Sequence, residues 1–263
     1  MEHISGIINS LPRTGPISVT DWERQQVEWA NSSPGNLKGH DCEECLNRGY
    51  INVFTEEDGR RVRECKCIAI RKSLKIIDQS GLKLLMEKYK LLTFTTNEQW
   101  QQSLKEKAIE YLADPEEKWF AVLGQTGCGK THICTAIAGE FLNKSIPVYY
   151  MLWNTKIKSL RATVNDGETH EQEVKKLQTI EVLYIDDMFK CKHGSEPSDA
   201  DVRLCFEILN ARYNARLKTL ISSEYSIEGL AGIDSAIAGR INEMGGRYIR
   251  NIAPDESRNY RWK

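Results

Sequence analysis

The stretch Gly124-Gln125-Thr126-Gly127-Cys128-Gly129-Lys130-Thr131 constrains this chain more than any other feature. Its spacing, G-x-x-x-x-G-K-[ST], is that of a phosphate-binding loop. Such a loop works where a strand ends and a helix begins, and both flanks are present. Trp119-Phe120-Ala121-Val122-Leu123 is an apolar run of strand length, and Thr131 to Leu142 reads as a helix. The glycines let the backbone curl around phosphate oxygens without a side-chain clash, and the helix N-terminus aims N–H groups at the anion. Lys130 is expected to reach the β/γ-phosphates and the Thr131 hydroxyl to ligate Mg²⁺. The candidate nucleotide-binding residues are Gly124, Gln125, Thr126, Gly127, Cys128, Gly129, Lys130, Thr131 and the adjoining His132.

Strand and helix patterns alternate on either side of this loop. Residues 98–113 read as a helix ending before Asp114-Pro115, and Ile146 to Met151 as a strand followed by polar helical residues towards Asp166. Another helix leads into Ile180. Val182-Leu183-Tyr184-Ile185-Asp186 is a further strand, Ser198 to Arg216 a long helix, and Thr219–Ser223 and Tyr248–Ile252 the last strands. This alternation predicts an α/β fold, a parallel sheet with helices on both faces. The strand ending in Asp186-Asp187 has the Walker B form, in which a carboxylate at the strand's C-terminal edge holds Mg²⁺ beside the phosphate loop. Asp186 takes that role, and Asp187 is expected to orient and polarise the attacking water.

The 263 residues suit one large α/β domain and a smaller module. A net charge of −1 excludes chain-wide electrostatic attraction to nucleic acid, so such binding needs a local patch. No apolar run approaches the roughly 18 residues that span a membrane. Met1 to Gly6 lacks the basic-then-apolar form of a signal peptide. A cytoplasmic location with no membrane partner is therefore expected. Thiols stay reduced there, so the clustered members of the eight cysteines become metal-ligand candidates. Cys42-x-x-Cys45 and Cys65-x-Cys67, with 19 residues between the pairs, suit tetrahedral Zn²⁺. Strands at residues 48–54 and 61–63, around Glu57-Asp58-Gly59, would bring the pairs together. His40 could replace one thiolate, and an iron–sulfur cluster or unligated cysteines are the alternatives. Helical signals from Ser18 to Ala30, carrying Trp22, Val27, Trp29 and Ala30, and over residues 68–92, split at Gly81, place a helical and zinc-binding module at 1–92 and the α/β domain at 93–263.

The phosphate loop, the Ile185-Asp186-Asp187 strand end and the C-terminal pattern together resemble AAA+ ATPases of the DnaC/DnaI helicase-loader group, which also includes the transposition helper IstB. The resemblance covers residues 85–263, and the cysteine cluster is similar to the zinc module of phage and Gram-positive DnaC-like proteins. It implies a polar sensor in Ser222-Ser223-Glu224, with Ser223 in that role. It also implies an arginine finger at Arg240, acting on ATP bound by a neighbouring subunit, and a second sensor at Arg258 with Arg261 as runner-up. Two positions depart from the family pattern. Asp187 stands where Glu is frequent and Glu224 where Asn is frequent, which leaves the hydrolysis rate open.

The resemblance implies a Mg²⁺-dependent ATPase that places a replicative hexameric helicase on single-stranded DNA and forms a homo-oligomer when ATP-bound. The alternatives are an IstB-like transposition ATPase acting on duplex DNA and a nucleotide-gated DNA-binding module with little turnover. Two basic stretches offer contacts: Arg60, Arg61, Arg63, Lys66, Arg71, Lys72 and Lys75 for phosphate backbone or an acidic protein surface, and Lys156, Lys158 and Arg161 for single-stranded DNA.

Overall fold

The computed structural model describes residues 18–79, 82–116, 118–191 and 195–262. The extreme N-terminus and the expected helix break at Gly81 lie outside those residues. No described helix is long and apolar enough to cross a membrane. The chain divides into two compact units at Ile68/Ala69, upstream of the boundary expected at 92/93. The reason is packing: Ile77, Leu82 and the partly buried Leu85 belong to the core of the larger unit.

In the smaller unit, helix α1 (Val19–Ser32) begins at Ser18, whose hydroxyl accepts the Asp21 N–H at 3.0 Å. No residue of α1 is buried, and Trp29 is 72 % exposed. The aromatic positions of this helix are therefore not core positions. Polar bonds hold its end instead: the Asn31 amide donates to the Asn52 carbonyl at 2.8 Å, and its Oδ1 accepts from the Asn52 N–H and from Arg48 Nη2, both at 3.0 Å. Strands β1 (Tyr50–Thr55) and β2 (Gly59–Glu64) form the expected antiparallel hairpin. The buried centre of the unit is Cys45, Ile51, Cys65 and Cys67.

The larger unit opens with α2 (Cys67–Gln79), whose first turn carries the division, then α3 (Leu82–Lys88) and α4 (Gln99–Ala113). The α/β alternation follows as β3 (Trp119–Gly124), α5 (Lys130–Asn143), β4 (Val148–Leu152), α6 (Trp153–Ala162), α7 (Gly167–Thr179), β5 (Val182–Asp186), α8 (Asp199–Asn214), β6 (Lys218–Ser223), α9 (Ile227–Ile233), α10 (Ser235–Gly245) and β7 (Ile249–Ile252). The five strands lie in the order β4-β5-β6-β3-β7, all parallel. Successive strand residues face opposite sides. Phe120, Val122, Val148, Tyr150, Val182, Tyr184 and Leu220 therefore join one core with α4 and α5, while Trp119, Ala121, Leu123, Met151, Leu183, Ile185 and Ile221 join the other with α6, α7, α8 and α10. A sheet covered on both faces needs apolar runs rather than alternation, and β3 and β5 have them.

Fully buried Arg212 on α8 fastens the start of β6, the central strand, to the end of α7. It donates to the carbonyls of Leu177 (2.9 Å), Ile180 (2.8 Å) and Lys218 (2.5 Å) and to Thr219 Oγ1 (3.0 Å). Helix α8 otherwise reads as an ordinary amphipathic helix, so nothing local marks this residue.

Candidate functional site

Strand parity builds the site. Tyr150, Asp186 and Ser222 are even-numbered members of β4, β5 and β6 and share the α5 face of the sheet with Tyr184 and Leu220. Asp186, at the end of β5, thus meets Thr131 in the first turn of α5. Thr131 Oγ1 donates to Asp186 Oδ1 at 3.1 Å, Ser222 Oγ donates to the same oxygen at 2.5 Å, and the Tyr150 hydroxyl donates to Oδ2 at 3.0 Å. Burial, followed by the charge of Asp186, keeps the Tyr150 phenol well above its ordinary value, so it stays a donor. The Thr131–Asp186 separation matches an edge of a Mg²⁺ octahedron, about 3 Å for oxygens at about 2.1 Å from the metal. These two oxygens therefore fit the ion.

The loop from Gly124 to Gly129 takes left-handed backbone at Gly124 (φ +94°) and Gly127 (φ +74°). A Cβ at Gly124 would stand 2.3 Å from the Ile252 carbonyl oxygen, and one at Gly127 would stand 1.9 Å from Asn259 Oδ1. Lys130 is 6 % exposed, and its Nζ donates to the Gly124 and Gln125 carbonyls at 2.8 and 2.7 Å. Burial pulls its ammonium below the ordinary lysine value, so an anion beside it would offset a desolvation cost already present in the fold.

Beyond β5 the chain turns sharply. Asp187 and Phe189 both have left-handed backbone, with φ +55° and +59°. Ser222 Oγ accepts the Asp187 N–H at 2.9 Å, the Met188 N–H donates to the Ser222 carbonyl at 2.8 Å, and Ser223 Oγ donates to the Met188 carbonyl at 2.7 Å. Ser223 thus faces the turn and is fully buried, while Glu224 beside it faces the cavity. Lys190 Nζ stands 3.0 Å from Asp187 Oδ2 and 3.0 Å from Glu224 Oε1.

A cavity of about 300 Å³ lies over the phosphate loop. Residues 126–132 of the loop and α5 form its floor, and Asp187 and Glu224 one wall. Sequence reasoning missed its other wall, which includes Tyr89, Phe94, Thr95, Gln101 and Tyr260. His132 stacks on Tyr89 (ring centroids 4.5 Å apart) and meets Phe94 edge-on at 5.1 Å. Burial keeps its imidazolium below the ordinary histidine value. In sequence, Tyr89 and Phe94 look like any aromatic residues near a helix end, so only folding makes them an aromatic wall beside the phosphate loop. The Tyr260 N–H donates to the Gly127 carbonyl at 3.0 Å, which brings the C-terminal segment over the loop. Arg261 is among the lining residues; Arg258 is not, and instead donates to the Ala253 carbonyl at 3.0 Å.

Residues 82–232 match the family model described as IstB-like ATP binding protein. The chain belongs to this IstB-like ATP-binding family. It is 32 % identical over 222 residues to the phage-like element PBSX protein XkdC of Bacillus subtilis, covering 80 % of this chain and 81 % of that protein. In structure, the DnaC helicase loader matches 65 % of this chain and 98 % of its own, with a TM-score of 0.55 at 21 % identity. The replication initiator DnaA, solved with AMPPCP and single-stranded DNA, matches with a TM-score of 0.53 at 20 % identity over 64 % of this chain; the match spans half of the DnaA chain. At these identities the two structures establish the fold, that of AAA+ proteins.

This IstB-like chain carries its cysteine cluster in the smaller unit. The sulfurs of Cys42, Cys45, Cys65 and Cys67 lie within 4.8 Å of one another, with Cys42–Cys65 at 3.7 Å and Cys45–Cys67 at 3.5 Å. A Zn–S distance of about 2.3 Å implies a tetrahedral edge of about 3.8 Å, so the four thiols fit zinc. The Gly49 N–H donates to Cys45 Sγ at 3.3 Å. Burial opposes ionisation of Cys45, but this N–H and the neighbouring thiols prevail and lower its pKa to about 6. His40 lies outside the group.

At least five of the ten residues in the two expected basic stretches stand in ion pairs. In the smaller unit Arg60 pairs with Glu23 (2.6 Å), Arg61 with Asp58 (2.6 Å) and Arg63 with Glu44 (2.7 Å). On α6, Lys156 pairs with Glu173 at 2.6 Å and Arg161 with Asp201, while Lys158 is exposed. Arg240, on α10, is turned to α8: Nε and Nη2 donate to Asn210 Oδ1 at 3.0 and 2.7 Å, and the guanidinium lies 4.6 Å from the Phe206 ring centroid. It does not line the cavity of its own chain.

Proposed function

We propose that the protein is an ATP-dependent loader that places a hexameric helicase on single-stranded DNA. The observation that carries this reading is the convergence of Lys130, Thr131 and Asp187 at one cavity, with buried Asp186 hydrogen-bonded to Thr131, in an IstB-like chain with the fold of the DnaC helicase loader. The base lies against Tyr89, Phe94 and His132, and the phosphates lie along the backbone N–H groups of the loop. Lys130 leaves its two carbonyl partners for the β/γ-phosphates. Thr131 and Asp186 would hold Mg²⁺, which would supply charge neutralisation of the phosphates when bound. Asp187 orients water at the γ-phosphorus. Its side chain is one methylene shorter than Glu, and the turn begun by its left-handed backbone sets where the carboxylate sits.

Arg240 has no place in its own cavity, which is compatible with its completing a neighbour's site in an ATP-bound assembly. Arg261 is the better-placed C-terminal arginine for the phosphates. Lys158, exposed on α6, is a cation through which that helix contacts single-stranded DNA. The test has two arms. Fluorescent-nucleotide titration should show Mg²⁺-dependent ATP binding that Lys130→Ala abolishes. Co-purification with a replicative helicase in ATP, followed by anisotropy with labelled single and double strands, should show helicase capture and a single-strand preference. Lys130-independent nucleotide affinity would refute the site. Equal single- and double-strand affinity without helicase capture would refute the loader.

A further inference from the structure

Glu224 introduces a negative charge at the mouth of a site built to hold phosphate, and Asp187 supplies a second one beside it. Two carboxylates facing a γ-phosphate would repel it. Lys190 changes this balance. Its single ammonium stands 3.0 Å from each carboxylate and is itself about one-third exposed. Its position is not left to a flexible loop. Asp187 and Phe189, on the turn that carries it, are both left-handed, the Lys190 N–H donates to the Asp187 carbonyl at 3.0 Å, and Ser223 ties the turn to β6 through Met188. Burial works against all these charges. Even so, Lys190 holds Glu224 below the ordinary carboxylate range, with help from Lys130 and Thr126, and the two carboxylates hold Lys190 above the ordinary lysine value.

We infer that Lys190 and Glu224 form a built-in ion pair that positions Asp187 and sets the preference of the site for ATP over ADP. Lys190 is a positioning residue for Asp187 and a counter-charge for the γ-phosphate end of the cavity. It can act this way only if ATP occupies the Lys130 cavity, the reading proposed above. Glu224 anchors Lys190 from β6, so the polar sensor expected in Ser222-Ser223-Glu224 is replaced by a charged pair shared between two strand ends. ADP, lacking the γ-phosphate, is less sensitive to the pair than ATP.

The experiment compares wild type, Lys190→Met, Lys190→Arg, Glu224→Gln and Lys190→Met/Glu224→Gln, each titrated with fluorescent ATP and ADP analogues and assayed for turnover. Lys190→Met should weaken ATP binding about tenfold and ADP binding less than about threefold, since it exposes two unbalanced carboxylates to the γ-phosphate alone. The double variant should recover most of the ATP affinity but not kcat, because Asp187 still lacks its anchor. Lys190→Arg should restore the ATP-to-ADP ratio, and Glu224→Gln should leave ATP affinity equal or higher. An unchanged ATP-to-ADP ratio in Lys190→Met, or no recovery in the double variant, overturns the inference. So does weaker ATP binding in Glu224→Gln, a milder variant that does not depend on losing Lys190. Wild type that binds neither nucleotide overturns the ATP-site reading itself, a result separable from the others.

Discussion

Ser222→Ala tests whether the strand register builds the corner at Asp186 and Asp187. Ser222 is fully buried. Its hydroxyl makes two bonds at once, donating to Asp186 Oδ1 at 2.5 Å and accepting the Asp187 N–H at 2.9 Å. Removing it takes one charge-assisted bond from a buried carboxylate and leaves one backbone N–H without its acceptor. Each loss is worth roughly 1–3 kcal/mol, and partial relaxation brings the expected total to about 3 kcal/mol. For a unit of this size, about 2–4 °C per kcal/mol gives a fall in Tm of about 6–12 °C. The Asp187 carboxylate would also lose definition, so kcat should fall about tenfold with KM nearly unchanged. The assay is thermal unfolding alongside steady-state ATP hydrolysis. Ser222→Cys separates the causes, because it keeps the volume but donates only weakly. If Ser222→Cys matches wild type while Ser222→Ala does not, packing rather than hydrogen bonding is responsible. An unchanged Tm and kcat in Ser222→Ala would refute the reasoning outright.

Protein purified without added zinc should contain about one zinc per chain, and chelation should unfold the smaller unit while the larger unit keeps its cooperative transition; metal analysis and limited proteolysis decide this, and a zinc content near zero refutes it. Arg240→Ala should keep ATP affinity and lose turnover, and mixing it with Lys130→Ala should restore some activity, since one chain supplies the arginine and the other the intact pocket. Absence of rescue in the mixture would place Arg240 in a purely structural role against Asn210 and Phe206. Arg212→Met should destabilise the larger unit by about 3–5 kcal/mol in urea, because several buried carbonyls lose their donor; a loss under about 1 kcal/mol would show that water replaces the guanidinium.

The sequence by itself determined the α/β architecture and the heart of the site. Apolar runs such as Trp119–Leu123 and Val182–Ile185 can be satisfied only between two helical layers, and glycines at 124, 127 and 129 admit the loop that side chains would block. The spacing of Cys42, Cys45, Cys65 and Cys67 around a hairpin likewise carries its own geometry. These are local constraints, written in composition and short-range period. What only the tertiary structure decided depends on strand order and on chain segments distant in sequence. The order β4-β5-β6-β3-β7 puts Ser222, not Ser223, against Asp186. Folding of residues 89–101 and 260–261 over the loop supplies the cavity walls. The pairing of Lys156 and Arg161 with Glu173 and Asp201 leaves less free positive charge than their spacing in α6 suggests. A charge in a sequence has no partner until the fold brings one within a few ångströms, and Lys190, unremarked in its own segment, becomes a bridge between two strand ends for that reason.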